Sequence, residues 1–325
     1  MRINVTGYCS QLSQEVGRGW NRFWFTPSDP LVLCMLRIGT GLLALVYLAS
    51  LTPGLSAWFG LHGLMSTETV AMLRETGPGY DWIHFSYLDL VASSSALWIS
   101  HVLGLLVLLL FTLGTFTRVT SILAWLVMLS YLHRQPIVTG PFEPVMAMLL
   151  FYLCLGPCGA YLSIDQWRRT GRCDLGAGES PRFMHWTVTV SVRLVQLHCA
   201  GFYLLMGLSK LAGVTWWEGE AVWSLMAQVR SRPLDLTFLR EREYLLEAWT
   251  HAIVGFELAF PLLIWKPLLR PLLWCVAIVM WSLLALLTGL TGFCLVMLMT
   301  SGVFLSSECY RGWFGRGGFP VLSDG

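Results

Sequence analysis

From Pro271 to Ser307 the chain carries no charged side chain. A bilayer core is crossed by roughly 20 helical residues, so a run of this length is too long for one span and too apolar for water. It has to turn once, and Thr288-Gly289-Leu290-Thr291-Gly292 supplies the Gly- and Thr-rich break. Backbone amides in hydrocarbon have no water to bond, which leaves only helices or closed barrels as spanning structures. Unbroken apolar runs without barrel alternation select helices. Further runs at Leu31–Leu51, Leu90–Thr117, Val119–Leu132, Pro144–Ile164, Leu194–Ser209 and Ala248–Trp265 bring the expectation to eight transmembrane helices in an all-α, polytopic bundle.

Composition agrees with lipid as the main solvent. Charged residues make up 12% of the chain and its mean hydropathy is +0.63, against about a quarter charged in soluble domains. A net charge of +2 without a Lys- and Arg-rich tail removes nucleic acid as a partner. No early apolar core with a small-residue cleavage site follows Arg2, so the first span is expected to do the targeting. Cytoplasmic loops collect Lys and Arg. With both N and C termini cytoplasmic, two thirds of the 21 basic residues fall inside, among them Arg18, Arg22, Arg118, Arg168, Arg169, Arg193, Lys266, Arg270 and Arg311. The expected division is a cytoplasmic segment 1–28, a membrane domain 29–307 and a cytoplasmic tail 308–325. Asn4-Val5-Thr6 has the sequon pattern but lies on the inner side. Outer loops at about 52–89 and 211–247 are long and rich in Trp, Gly and acids. The inner loop 165–186 separates two halves, and Ser56–Arg74 reads as an amphipathic or re-entrant piece.

Ionisable groups within spans are the sharpest pointers to function, because a charge near the bilayer centre costs roughly 2.5–3.5 kcal/mol on insertion scales. They are Arg37 in the first span, Arg193 and Lys210 bounding the fifth, and Glu257 in the sixth, with His101 a weaker case. Arg37 and Arg193 lie near enough to a span end to snorkel to headgroups. Glu257 needs a partner, Lys210 or Arg37, or a proton. Gln196, Tyr203 and Lys210 follow at steps of seven, which keeps them on one helix face. Such a polar stripe lines either a cavity or a helix contact. Lys210 ends it at the outer mouth, where it reads as a base with a lowered proton affinity or as an interfacial lysine beside Trp216-Trp217. The nine cysteines form no CxxC pair, and the histidines have no HxxxH or HExxH spacing. No metal is expected.

Four stretches together resemble the HTTM family, which includes the vitamin K-dependent γ-carboxylases. They are Asp29-Pro30-Leu31-Val32-Leu33-Cys34-Met35-Leu36-Arg37-Ile38-Gly39; Gly159-Ala160-Tyr161-Leu162-Ser163-Ile164-Asp165; Gln196 through Tyr203 to Lys210-Leu211 with Trp217-Glu218-Gly219-Glu220-Ala221; and Glu257-Leu258-Ala259-Phe260-Pro261. The resemblance implies that Lys210 is the base that deprotonates a reduced, vitamin K-like quinone on the outer side. It gives Arg37, Gln196, Tyr203 and Glu257 substrate- or cofactor-binding roles. The chain departs from the carboxylases at Gly140-Pro141-Phe142-Glu143, where they place an Asn-His pair, and at Trp281, where the family often has His. Short membrane-only bacterial members, such as the sporulation-delaying toxin maturation protein, are similar in length. Two functions follow as expectations: a quinol-dependent oxygenase or carboxylase-like enzyme in a bacterial inner membrane, or a non-catalytic factor that holds a peptide or protein on the outer loops for maturation or export. Membrane lipid is the partner under both.

Overall fold

The computed structural model describes residues 5–60, 63–64, 69–70, 72, 85–91, 93–135, 139–171, 184–227 and 242–314. The expected loops at 52–89, 165–186 and 211–247, the Ser56–Arg74 piece and the tail at 308–325 lie partly outside these residues. Asn4, His62, His84, Arg74, Arg230 and Arg316 lie wholly outside them.

The fold is an all-α bundle. Its helices are α1 (Val5–Phe25), α2 (Leu31–Ser50), α3 (Leu55–Phe59), α4 (Ser94–Leu113), α5 (Thr117–Arg134), α6 (Phe142–Leu155), α7 (Ile164–Thr170), α8 (Trp186–Leu211), α9 (Val214–Trp217), α10 (Ala221–Ala227), α11 (Glu243–Leu263), α12 (Arg270–Thr288), α13 (Thr291–Gly302) and α14 (Ser307–Phe314). Start and stop signals are local. Ser93 and Ser163 cap α4 and α7 by accepting the Ala96 and Gln166 amides. Gly114 and Gly289 end α4 and α12 in the left-handed conformation. Gly289 falls within the break expected in the charge-free run.

Four stretches are long and apolar enough to cross a membrane: Leu31–Phe59, Ser94–Leu113, Trp186–Leu211 and Pro267–Thr288. A fifth is reached only if α13 and α14, bent by 113° at Gly302–Ser307, are taken as one span. Eight were expected, and the difference has identifiable causes. Helix α6 has only 14 residues because Gly156-Pro157 ends it. Helix α5 carries Arg118, His133, Arg134 and five hydroxyl side chains. Helix α11 carries Glu243, Glu247 and Glu257. The segment 1–28, expected only as cytoplasmic chain, is largely the amphipathic helix α1.

The two halves meet across α6. It packs on α2, α5, α8 and α13, and its buried face includes Val145, Met146, Leu149, Leu150 and Leu153. Close approach of α2 and α4 uses small residues, as lipid-solvated helices commonly do. A Cβ at Gly41 would lie 2.5 Å from the Thr112 hydroxyl, and one at Gly104 would lie 3.3 Å from Leu48.

One end of the first half is closed by a knot of backbone and polar groups. Arg37 has no exposed surface and donates from Nη2 to the Leu162 carbonyl, while its Nε and Nη1 have no hydrogen-bond partner. It lies against the Gly114 turn, at the carbonyl-rich end of α4, where the helix dipole favours a cation. Across this turn the Asp165 carboxylate accepts the Phe116 and Thr117 amides at 2.9 and 2.8 Å and the Thr117 hydroxyl at 3.0 Å. It thereby caps α5 from a different helix. Phe116 and Leu162, both without glycine's freedom, adopt φ of 48° and 50° here, a strain of about 1–2 kcal/mol each that the surrounding bonds have to hold.

Two predictions concern this knot. An alanine at Gly114 would need a φ of +73° and would put its Cβ 2.2 Å from Arg37 Nη1 and 2.5 Å from Ser163 Cβ. Gly114→Ala is expected to cost about 2–4 kcal/mol in thermal or denaturant unfolding; an unchanged midpoint refutes the close packing. For Asp165, burial raises the carboxyl's proton affinity, but the Thr117 and Phe116 amides, the Thr117 hydroxyl and Arg169 outweigh it and hold the pKa below the ordinary carboxylate value. Its contribution is therefore complete above the unfolded carboxyl's pKa, near 3.9, and is lost as pH falls through the lower folded one. The unfolding temperature of wild type should exceed that of Asp165→Asn at pH 7, and the gap should close below about pH 4. A gap that is constant with pH contradicts the capping role.

Candidate functional site

The candidate site is built on α8, whose stripe of Gln196, Tyr203 and Lys210 faces three neighbours in succession. Gln196 is buried; its Nε2 donates to the Val303 carbonyl at 3.1 Å and its Oε1 accepts from Arg193 at 2.9 Å. Tyr203 is fully buried and stacks on Phe260 with ring centroids 4.1 Å apart. Its hydroxyl accepts the Trp281 indole N–H at 2.6 Å and shares a 2.9 Å hydrogen bond with Ser301. Since Ser301 also donates to the Met297 carbonyl, one consistent relay runs from Trp281 through Tyr203 and Ser301 to α13. Of the alternatives the sequence left open, Gln196 and Tyr203 take the helix contact.

Lys210 closes the stripe by pairing with Glu257 of α11. Gly207 allows this, because a Cβ there would lie 2.7 Å from Leu258 and 3.4 Å from the Glu257 Cβ, so α8 and α11 touch closely one turn before the lysine. Glu257 is fully buried and its Oε2 has no hydrogen-bond partner. Lys210 retains 18% side-chain exposure and lies 4.9 Å from the centre of the Trp216 ring, a cation–π contact. Pro261 sits inside α11 four residues beyond Glu257. A proline has no N–H and its ring crowds the carbonyl of residue i−4, so the Glu257 carbonyl goes without its intrahelical hydrogen bond although the helix runs on to Leu263.

The cover over the pair is fastened to α11. The Thr250 hydroxyl is shared between the carbonyls of Gly219 and Leu246 and accepts the Val222 amide at 3.3 Å. Gly219 has a φ of +79°, and its missing Cβ would lie 2.5 Å from Glu247, so the turn that follows Trp216 rests directly on α11. At the same end a hollow of 530 Å³ is lined by Glu218, Glu220, Trp223, Glu243 and Glu247. A second, apolar groove of 410 Å³ runs between α11 and α12 past Trp249, Ile253, Phe256, Val276 and Met280.

The structure thus brings Lys210 and Glu257 together and puts Gln196 and Tyr203 on the same face below them. It does not bring Arg37 to Glu257. Ser28 and His185 form a β-bridge, so α2 and α8 start side by side; Arg37 lies near that start and Lys210 at the far end. Nor does Arg37 snorkel, being enclosed by the knot. His101 belongs to another set, bonded to Tyr131 at 2.8 Å and Thr52 at 3.0 Å. Trp281 and Ser301 were not singled out as polar partners, because an indole and a hydroxyl in a charge-free run carry no signal of what they face. Among the described residues no group of His, Cys, Asp or Glu has the geometry to hold a metal ion. Compared with known proteins, the chain matches no family model, no curated sequence and no solved structure.

A buried pair that loses one partner leaves an uncompensated charge, at about 3–5 kcal/mol. Lys210→Met should therefore destabilise by that amount in thermal unfolding, whereas Lys210→Met/Glu257→Leu should recover more than half of it. Additive losses in the double variant would show that the two side chains do not interact.

Proposed function

We propose that this chain is an HTTM-like membrane protein with eight helices in a bacterial inner membrane, both ends cytoplasmic, that uses Lys210 as a base toward a reduced quinone at an outward-facing site. The observation that carries the reading is the Lys210–Glu257 pair, in which a fully buried carboxylate keeps one oxygen without a partner. A lysine acts as a base only after losing its proton, and a carboxylate in contact offers that proton a place. Transfer from the ammonium to Glu257 would turn two charges into a neutral amine and a neutral acid. Trp216 over the amine restricts water on its open side.

The residues fit a quinol-type group on two counts. The groove between α11 and α12 is apolar and runs along the helix that bears Glu257, which suits a ring and an isoprenoid tail. Glu257 Oε2 is an unpartnered acceptor of the kind a hydroxyl meets, enclosed beside the groove and not part of its lining. A reduced quinone, once bound, supplies an acidic hydroxyl and reducing electrons; the chain's part is to orient it and to take up the proton at Lys210. The eight-helix arrangement is supported by the position of α6, which is surrounded by α2, α5, α8 and α13 and so can be short and still lie within the membrane.

A second reading, a non-catalytic factor that holds a peptide or protein at the outer loops, draws support from the hollow lined by Glu218, Glu220, Glu243 and Glu247, which suits a cationic segment. Oxygen consumption by the purified protein with a reduced naphthoquinone separates the two. The enzyme reading expects uptake with formation of quinone epoxide, reduced by about two orders of magnitude or more in Lys210→Ala. Uptake that is equal in wild type and Lys210→Ala across several quinols rejects it. In that case shortening of 211–247, with Lys210 left intact, should abolish peptide maturation.

A further inference from the structure

At the end of the bundle remote from Lys210, two arginines on different helices adjoin one aromatic patch, and among the described residues no carboxylate pairs with either. Arg193 occupies the second turn of α8 and Arg270 opens α12. Arg193 is half-buried, spends one N–H on Gln196 and lies 4.4 Å from the centre of the Phe23 ring of α1. Arg270, also half-buried, donates to the carbonyls of Ile264 and Trp265 at 3.2 and 3.4 Å. Phe23 and Trp265 are in ring contact at 6.3 Å, which joins the surroundings of both guanidinium groups into one patch. Neither arginine forms an ion pair among the described residues, whose described ion pairs involve Arg18, Arg134, Lys210 and Arg311. Lys266 adds an exposed third cation on the turn between them.

Each guanidinium has five N–H donors, and the bonds named above leave several unused on both. Arg270 has a local structural duty at the Ile264 and Trp265 carbonyls, just past the end of α11. That duty accounts for one cation and not for the second placed beside it. Two forked donors joined through one aromatic patch match a phosphate, whose oxygens accept paired N–H bonds. The start of α12, where Arg270 stands, adds the positive end of a long helix. Around this turn Leu262, Leu268 and Leu272 are exposed at 74%, 80% and 61%, and Phe23 and Trp265 supply aromatic rings of the kind that gather at headgroup level.

We propose that Arg193 and Arg270 form a binding site for the phosphate of an anionic phospholipid, whose acyl chains lie against Leu262, Leu268 and Leu272. The neighbouring leucines argue for a lipid over a free phosphate ion, since a soluble anion would leave them bare. Basic pockets between membrane helices take headgroups in this way. The lipid supplies a counter-charge that no described residue gives these arginines and joins α1, α8 and the α11–α12 turn at the interface. The site is independent of the quinol reading and uses none of its residues apart from the Arg193 contact to Gln196.

The test is native mass spectrometry of the full-length protein in detergent, titrated with palmitoyl-oleoyl phosphatidylglycerol, the matching phosphatidylcholine, and inorganic phosphate. Wild type should retain phosphatidylglycerol about tenfold better than phosphatidylcholine. Arg193→Gln should weaken retention about fivefold, the typical worth of one basic residue at a charged surface, and Arg193→Gln/Arg270→Gln about twentyfold or more. Arg168→Gln, on α7 beside Phe116, should change nothing. Because Arg270 also holds the α11 carbonyls, Arg193→Gln alone carries the decisive comparison, with an unchanged unfolding temperature in detergent as the control for folding. Equal retention of the two lipids overturns the proposal. So does an equal loss in Arg168→Gln, and so does phosphate ion displacing phosphatidylglycerol at matched concentration.

Discussion

A guanidinium with no exposed surface and, among the described residues, no carboxylate paired with it must be compensated by dipoles, and the closed end of the first half is arranged to do this for Arg37. The carbonyl of Leu162 accepts from it, the end of α4 presents its negative pole, and Gly114 leaves the room that a Cβ would fill. The strained φ values at Phe116 and Leu162 are intelligible on this account. They accompany the two turns at which the Leu162 carbonyl meets Arg37 and Asp165 meets the amides that begin α5. The strain is a few kcal/mol, of the order of the several that an uncompensated buried charge would cost.

Lys210 solves the same problem differently, by contact with an opposite charge. It can do so because α8 and α11 approach closely at Gly207. Helix α8 is the common member of these arrangements: its stripe serves the turn after α13 through Gln196, α12 and α13 through Tyr203, and α11 through Lys210. A period of seven keeps the three on one face, and the drift of that face along the helix directs each to a different neighbour.

Much of this was legible in the residues. Charge-free length required helices and a turn near Gly289, and the cost of an intramembrane charge singled out Lys210 and Glu257 before any neighbour was known. The lateral order of the helices was not legible, since hydropathy says that a run is buried and not which run lies beside it. Arg37 and Lys210 were therefore equal candidates for Glu257. The span count suffered for a related reason. Apolar runs such as Pro144–Ile164 extend past the helix end that Gly156-Pro157 imposes, and a helix shielded by its neighbours, such as α6, need not be long. The amphipathic α1 and α14 escaped because their apolar residues are interleaved with charges, as in Arg18 and Glu15 on α1 or Glu308 and Arg311 on α14.

The hydroxyl of Thr250 bonds the turn after Trp216 to the helix that carries Glu257. The same turn is bonded to α8, through the Gly213 amide on the Lys210 carbonyl and the Trp217 indole on the Leu211 carbonyl. The short segment that carries Trp216 is thus stapled at one end to the helix of the ammonium and at the other to the helix of the carboxylate. The aromatic cover is a bridge between the two partners of the ion pair, and Thr250, which touches neither charge, helps to set how far apart they stand.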